Sequence, residues 1–292
     1  MILWLLRITW ALLPLTGGQA AREALSNWSG PTRVVAFTLL WIVWLIGLVG
    51  VFTPRPLGAT AVRTGAPIFV VLAIVSAFVQ QVSAAAAAIA VIGTLVAFVL
   101  GATPAFGRAS ADGVAYGDER RFPLKVPPAL FLGPLPLSVA LLAAGISAGP
   151  LLLADGRWIW GAIATVVGWP LAVALLRSIH SLAKRWVVLV PAGIVVADAM
   201  TLSDSTLFPR EYVASIAPVA AREPIGEAID LRVGAVRDSL AIALTEPTDL
   251  IRVRRGRSQA EPVLATRLLV APVAPRALRE LARTRRLPAV SE

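Results

Sequence analysis

Residues 175–198 read LLRSIHSLAKRWVVLVPAGIVVAD, and the fold turns on this stretch. Before it, from Val34 to Leu176, the chain is a series of long apolar runs; after Arg177 it is an arginine-rich sequence with strand periodicity. Inside the stretch, Trp186–Val190 and Ile194–Asp198 flank Pro191-Ala192-Gly193, the pattern of two strands around a tight turn. The chain therefore divides into a membrane part, 1–183, and a small β-rich part, 184–292.

Composition agrees with that division. Hydrophobic residues make up 57% of the chain and charged residues only 15%, with a mean hydropathy of +0.77. Uncharged runs as long as Val34–Phe52 suit the hydrocarbon core, which takes roughly 17–25 apolar residues in a helix. Expected spans cover 34–52, 66–80, 84–101, 130–154 and 158–176. Gln80-Gln81-Val82-Ser83 supplies a wet turn between two of them. A sixth apolar run, Ile2–Leu15, carries Arg7 and is read as a retained helix that either spans the bilayer or lies on it; removal as a leader is the third alternative.

Charge sets the expected orientation. Arg55 and Arg63 fall in one expected loop, Arg108, Arg120, Arg121 and Lys125 in the loop 103–128, and Arg177, Lys184 and Arg185 after the last span. Of the alternate connections, the Gln80–Ser83 turn carries no cation and the next only Arg157. The positive-inside rule then places the 53–65 loop, the 103–128 loop and the C-terminal part in the cytoplasm, and Thr16–Pro31 outside. The compositional bias toward Ala, Pro, Gly, Val and Arg points to a bacterial plasma membrane.

The C-terminal part shows about seven short strand patterns followed by one amphipathic helix. Ala274, Leu278, Leu281 and Ala282 form its apolar stripe, and Arg276, Arg279, Arg283 and Arg286 lie off it. Strands closed by a single C-terminal helix resemble a pleckstrin-homology-like (PH-like) domain. The phrases Arg185–Val188 with Gly193–Val196, Phe208–Ile216 and Tyr116–Pro123 resemble those of uncharacterised actinobacterial integral membrane proteins with a C-terminal PH-like domain. The resemblance implies a membrane all-α bundle of five or six transmembrane helices followed by a PH-like barrel. It implies no catalytic residue. The neutral turn Pro191-Ala192-Gly193 also departs from the lysine-rich first hairpin of eukaryotic PH domains, so phosphoinositide binding is not implied.

Candidate binding residues are basic. Arg252, Arg254, Arg255 and Arg257 form the densest cluster, able to grip phosphate oxygens bidentately, or else to protect a solvated edge hairpin from strand association. Arg120 and Arg121 follow Asp118-Glu119 and either engage headgroups or dock their loop through ion pairs. His180 and the small-residue element Gly145–Gly149 read as an interfacial polar group and a packing surface.

Chemistry is poorly provided for. The chain has no cysteine and one histidine, and no glycine-rich phosphate loop or paired catalytic acids. No expected span carries a central Asp, Glu, Lys or His, as coupled transporters require. The sequence thus leads to a non-enzymatic membrane-anchored scaffold or regulator with no cofactor, no metal and no nucleic-acid partner. Its expected partners are the bilayer, a protein and anionic lipid headgroups. The alternative is a small transporter or channel component whose soluble domain gates or assembles the pore.

Overall fold

The computed structural model describes residues 1–220, 223–253 and 260–290, and divides into two compact units. The first comprises Met1–Gly113 with Pro134–His180, and the second Val114–Gly133 with Ser181–Glu292.

The first unit is helical: α1 Ile2–Ala24, α2 Gly30–Phe52, α3 Pro56–Ser76, α4 Ala84–Ala102 and α5 Pro104–Asp112 precede α7 Pro134–Ala154 and α8 Trp158–Leu182. A short α6, Pro128–Phe131, belongs to the second unit. Five helices (α2, α3, α4, α7 and α8) are long and apolar enough to cross a membrane, the pattern of a multi-pass membrane protein.

Several boundaries differ from expectation. Helix α1 does not stop at Leu15. It runs on through Gly17-Gly18 because Ala20 is buried against Ala73, Ala86 and Ala90, where a small side chain is needed. Helix α3 begins at Pro56 and not near 66: a proline at the first turn needs no N–H partner there. Its early start is also fixed by packing, since a Cβ on Gly50 would lie 2.9 Å from the Gly58 carbonyl oxygen. Arg63 consequently sits on a helix, where its Nε donates to the Gly101 carbonyl of α4 at 3.3 Å. Helix α7 starts at Pro134 and α8 extends to Leu182.

Helix packing rests on small residues and on polar groups turned inward. Trp10 is fully buried, and a Cβ on Gly47 would come within 2.0 Å of its ring. Trp10 Nε1 donates to the Trp44 carbonyl at 2.9 Å and Trp44 Nε1 returns the bond to the Trp10 carbonyl at 2.8 Å, a reciprocal clasp between α1 and α2. The small-residue element does pack: a Cβ on Gly145 would lie 2.7 Å from the Gly168 carbonyl, so α7 and α8 meet backbone to backbone.

The second unit is β-rich. One four-stranded sheet has the order β1-β2-β3-β4, from Arg120–Pro123, Trp186–Val190, Gly193–Ala197 and Thr206–Pro209. The other has the order β5-β7-β8-β6, from Val213–Val219, Ser239–Val253, Ala260–Val270 and Ile229–Asp230. Neither sheet closes into a barrel. Helix α9, Pro275–Thr284, follows, and Leu278 and Ala282 enter the core beside Leu189, Ile194, Ile242 and Leu268.

Three features of this unit depart from the sequence reading. Two of the short strand patterns, at 240–244 and 250–253, merge into one strand, β7, whose ladder with β8 is interrupted between Ala243 and Thr248. Arg279, expected off the apolar stripe, is buried, with Nη1 donating to the Val290 carbonyl at 3.1 Å. The loop 103–128 divides: its first part is α5, and its second contributes β1, paired antiparallel with β2 in the register Arg120↔Leu189 to Pro123↔Trp186.

At the centre of the unit lies a buried ion pair. Arg185 and Asp198 are 1% and 2% exposed, and Nε and Nη2 of the arginine meet the two carboxylate oxygens at 2.7 Å each. The remaining donors go to the carbonyls of Lys125 at 3.0 Å and Leu231 at 3.1 Å. Breaking a buried pair by removing one partner leaves an uncompensated charge. Arg185→Ala is therefore expected to destabilise the unit by about 3–5 kcal/mol, read by denaturant unfolding of the detergent-solubilised chain; a loss under about 1 kcal/mol would show the pair to be dispensable. For the helices, Gly168→Val is expected to lower the detergent melting temperature, and an unchanged value would show that α7 and α8 are not held by close approach.

Candidate functional site

The expected basic residues do not form one site. Arg254, Arg255 and Arg257 lie outside the described residues. Arg120 and Arg121 are on β1 in the first sheet, whereas Arg252 is near the end of β7 in the second.

Arg121 is held in a structural role. Its guanidinium lies 4.7 Å from the Trp186 ring centre and its Nη2 is 3.1 Å from Glu119 Oε2. Partial burial pushes the Glu119 carboxyl up, but the bonds from Arg121 and the Tyr116 N–H outweigh it, leaving that group below the usual carboxylate range. Trp186 sits on β2 and donates from Nε1 to the Ala183 carbonyl at 2.9 Å. Arg285, beyond α9, adds two ties: to the Leu189 carbonyl at 2.8 Å and to the Asp118 carbonyl. The segment thus docks by a β-ladder, by stacking of Arg121 on Trp186 and by the bond from Arg285 to the Asp118 carbonyl. Arg120 remains exposed, with one donor on the Glu119 carbonyl at 2.7 Å.

Arg252 lines a cleft of about 650 Å³. Met200, Ile225 and Val253 give it apolar walls; Thr201, Asp230, Val233, Gly234 and Glu261 complete it. The ladder sets Arg252 opposite Glu261, and the 198–203 loop closes the other edge of β7 through Val253 N to the Thr201 carbonyl (3.0 Å) and Ser203 N to the Ile251 carbonyl (2.9 Å).

The cleft wall carries strain. Ala235 N donates to the Arg232 carbonyl at 3.1 Å, closing a turn whose two central residues have positive φ, +52° at Val233 and +88° at Gly234. Glycine adopts this conformation freely. A β-branched residue there is an outlier, of a kind that costs about 1–3 kcal/mol and collects at functional sites. The turn is held from below by Arg232, which is buried and grips both carboxylate oxygens of Asp230 at 2.9 and 3.0 Å. Burial raises the Asp230 carboxyl, but the Arg232 side-chain and backbone bonds overcome it, and the neighbouring Arg252 charge adds to them. The net direction is down. Beneath the surface, the Thr201 hydroxyl is buried with no hydrogen-bond partner.

The sequence marked Arg252 but missed the cleft. Its walls come from segments around residues 200, 225, 232 and 252, brought together only by pairing of β7 with β8 and of β6 with β8. The Val233-Gly234 turn has no strong sequence signal, since valine is the wrong residue for it.

His180, at the C-terminal end of α8, lies with Nδ1 2.9 Å from the Thr60 hydroxyl of α3. Among the described residues no group of His, Cys, Asp and Glu is arranged to hold a metal ion. No known protein family, curated protein or solved structure matches the chain.

The lowered Asp230 carboxyl has a consequence for stability. A folded-state pKa below the unfolded value stabilises the fold above the unfolded pKa, and that contribution is lost as pH falls through the folded one. Asp230→Asn is thus expected to flatten the acid limb of the stability profile while lowering stability at neutral pH. A variant profile parallel to that of the native chain from neutral pH down to the acid limb would refute the linkage.

Proposed function

We propose that this protein is a membrane-anchored, non-enzymatic scaffold or regulator that presents a divergent PH-like unit on the cytoplasmic side to a protein partner or to anionic lipid headgroups. The observation that carries this reading is a β-rich unit with its own buried core and ion pair, joined in one chain to helices fit to cross a membrane. A sheet pair backed by a C-terminal helix and the phrases around Trp186, Phe208 and Tyr116 support the kinship with actinobacterial membrane proteins of PH-like type. The net charge of +10 favours acidic partners and anionic headgroups.

What the helices do with their polar groups supports an anchor over a conduit. Arg7 donates to the Val51 carbonyl at 3.1 Å and stacks beside Trp4 and Phe52. Trp10 and Trp44 satisfy each other, Arg63 bonds Gly101, and Thr60 meets His180. These groups cross-link neighbouring helices. A binding role for the soluble unit agrees with a sequence holding one histidine and no cysteine.

Reconstituted into proteoliposomes, the full chain is expected to pass ions and small solutes no faster than empty vesicles. Purified from membranes in mild detergent, it is expected to carry a stoichiometric partner or to show headgroup-dependent protection of the soluble unit. Flux clearly above the empty control would overturn the anchor reading in favour of a pore.

A further inference from the structure

Within the soluble unit the cleft beside Arg252 combines features that a solvated hairpin does not need. Its wall is the turn through Val233 and Gly234, where neither N–H donates to any group among the described residues. The Arg252 side chain, which lines the cleft from the end of β7, likewise donates no hydrogen bond among the described residues, and its charge acts on Asp230 only through space. Two backbone amides at a left-handed turn and one guanidinium make a set of three donor groups with no acceptor assigned to them. Concave amide arrangements of this kind bind anions.

The carboxylates nearby do not cancel this donor set. Both oxygens of Asp230 are held by Arg232, and Glu261 has a partner of its own. The other walls, Met200, Ile225 and Val253, are apolar, and Ile225 is 45% exposed. A small inorganic ion would leave those walls uncovered. A ligand with an anionic head on an apolar body would use both.

We propose that the cleft is an anion site for a phosphate group carried on an apolar body. The Arg252 guanidinium and the N–H groups of Val233 and Gly234 are its donors, since a phosphate offers enough oxygens for all three. The strained turn is then the feature that holds two amides free for the ligand. This site rests on the headgroup-binding reading given above and assigns it a location. Its phosphate is that of a bilayer phospholipid or of a soluble phosphomonoester.

The test is hydrogen exchange of the full chain in nanodiscs at matched ionic strength. Three conditions are compared: phosphatidylcholine alone, phosphatidylcholine with phosphatidylglycerol, and phosphatidylcholine with added octyl phosphate below its micellar concentration. The expected result is slowed exchange at residues 233–235, with a midpoint weakened about tenfold or more in Arg252→Gln. Val233→Gly, which keeps the N–H and removes the side-chain strain, should retain the slowing, and Arg120→Gln should not alter it. Slowing with phosphatidylglycerol alone assigns the site to a lipid, slowing with octyl phosphate alone to a soluble ester, and slowing with both to phosphate on an apolar body in either form. Unchanged exchange at 233–235 in every condition overturns the proposal. Slowing elsewhere in the soluble unit with phosphatidylglycerol, the cleft unchanged, also overturns it while leaving headgroup binding in place.

Discussion

The buried Arg185–Asp198 pair is the constraint around which the β-rich unit is arranged. A guanidinium with no access to water must find an acceptor for each donor group, and here the acceptors come from three places in the chain. Asp198 ends β3, Lys125 follows β1, Leu231 follows β6, and Arg185 itself stands just before β2. The pair therefore joins the two sheets at one point. A hydrophobic substitute would fill the volume, but it would not specify which segments meet. The second buried arginine, Arg232, repeats the device on a smaller scale by fixing the Asp230–Ser239 loop that forms one wall of the cleft.

Much of this was legible in the sequence for a geometric reason. The hairpin of β2 and β3 pairs Trp186 with Ala197, so Arg185 and Asp198, one step further out on each strand, must face each other. The same symmetry is visible in the residues themselves, where an arginine and an aspartate stand at equal distances from the Pro191-Ala192 pair at the centre of the turn. Helices α2 and α4 were legible from uninterrupted apolar runs. The start of α3 was not, because Pro54, Arg55 and Pro56 resemble a loop until the close approach of Gly50 and Gly58 is known. Local pattern fails where a distant contact decides.

The same limit applies to the candidate site. Arginine density drew attention to residues 252–257, and Arg252 does line a cleft. What gives that cleft its character is a valine in a conformation suited to glycine, a feature that composition and periodicity do not register. Arg121 carried two readings in the sequence, headgroup contact or docking of its loop, and its contacts with Trp186 and Glu119 accord with the second. A charged residue beside an aromatic that reaches it through a ladder is better read as mortar between strands.

The ladder between β1 and β2 has one more consequence, and it concerns parity. Two strands of one sheet occupy the same compartment, so the chain between Pro123 and Trp186 must cross the bilayer an even number of times. The span-length helices in that interval are α7 and α8, and they must cross together or not at all. Hydrogen bonds in water thus impose a selection rule on the membrane: no arrangement in which only one of the pair inserts is compatible with the folded sheet. Side is then shared by everything the sheet holds, whichever face of the membrane it is.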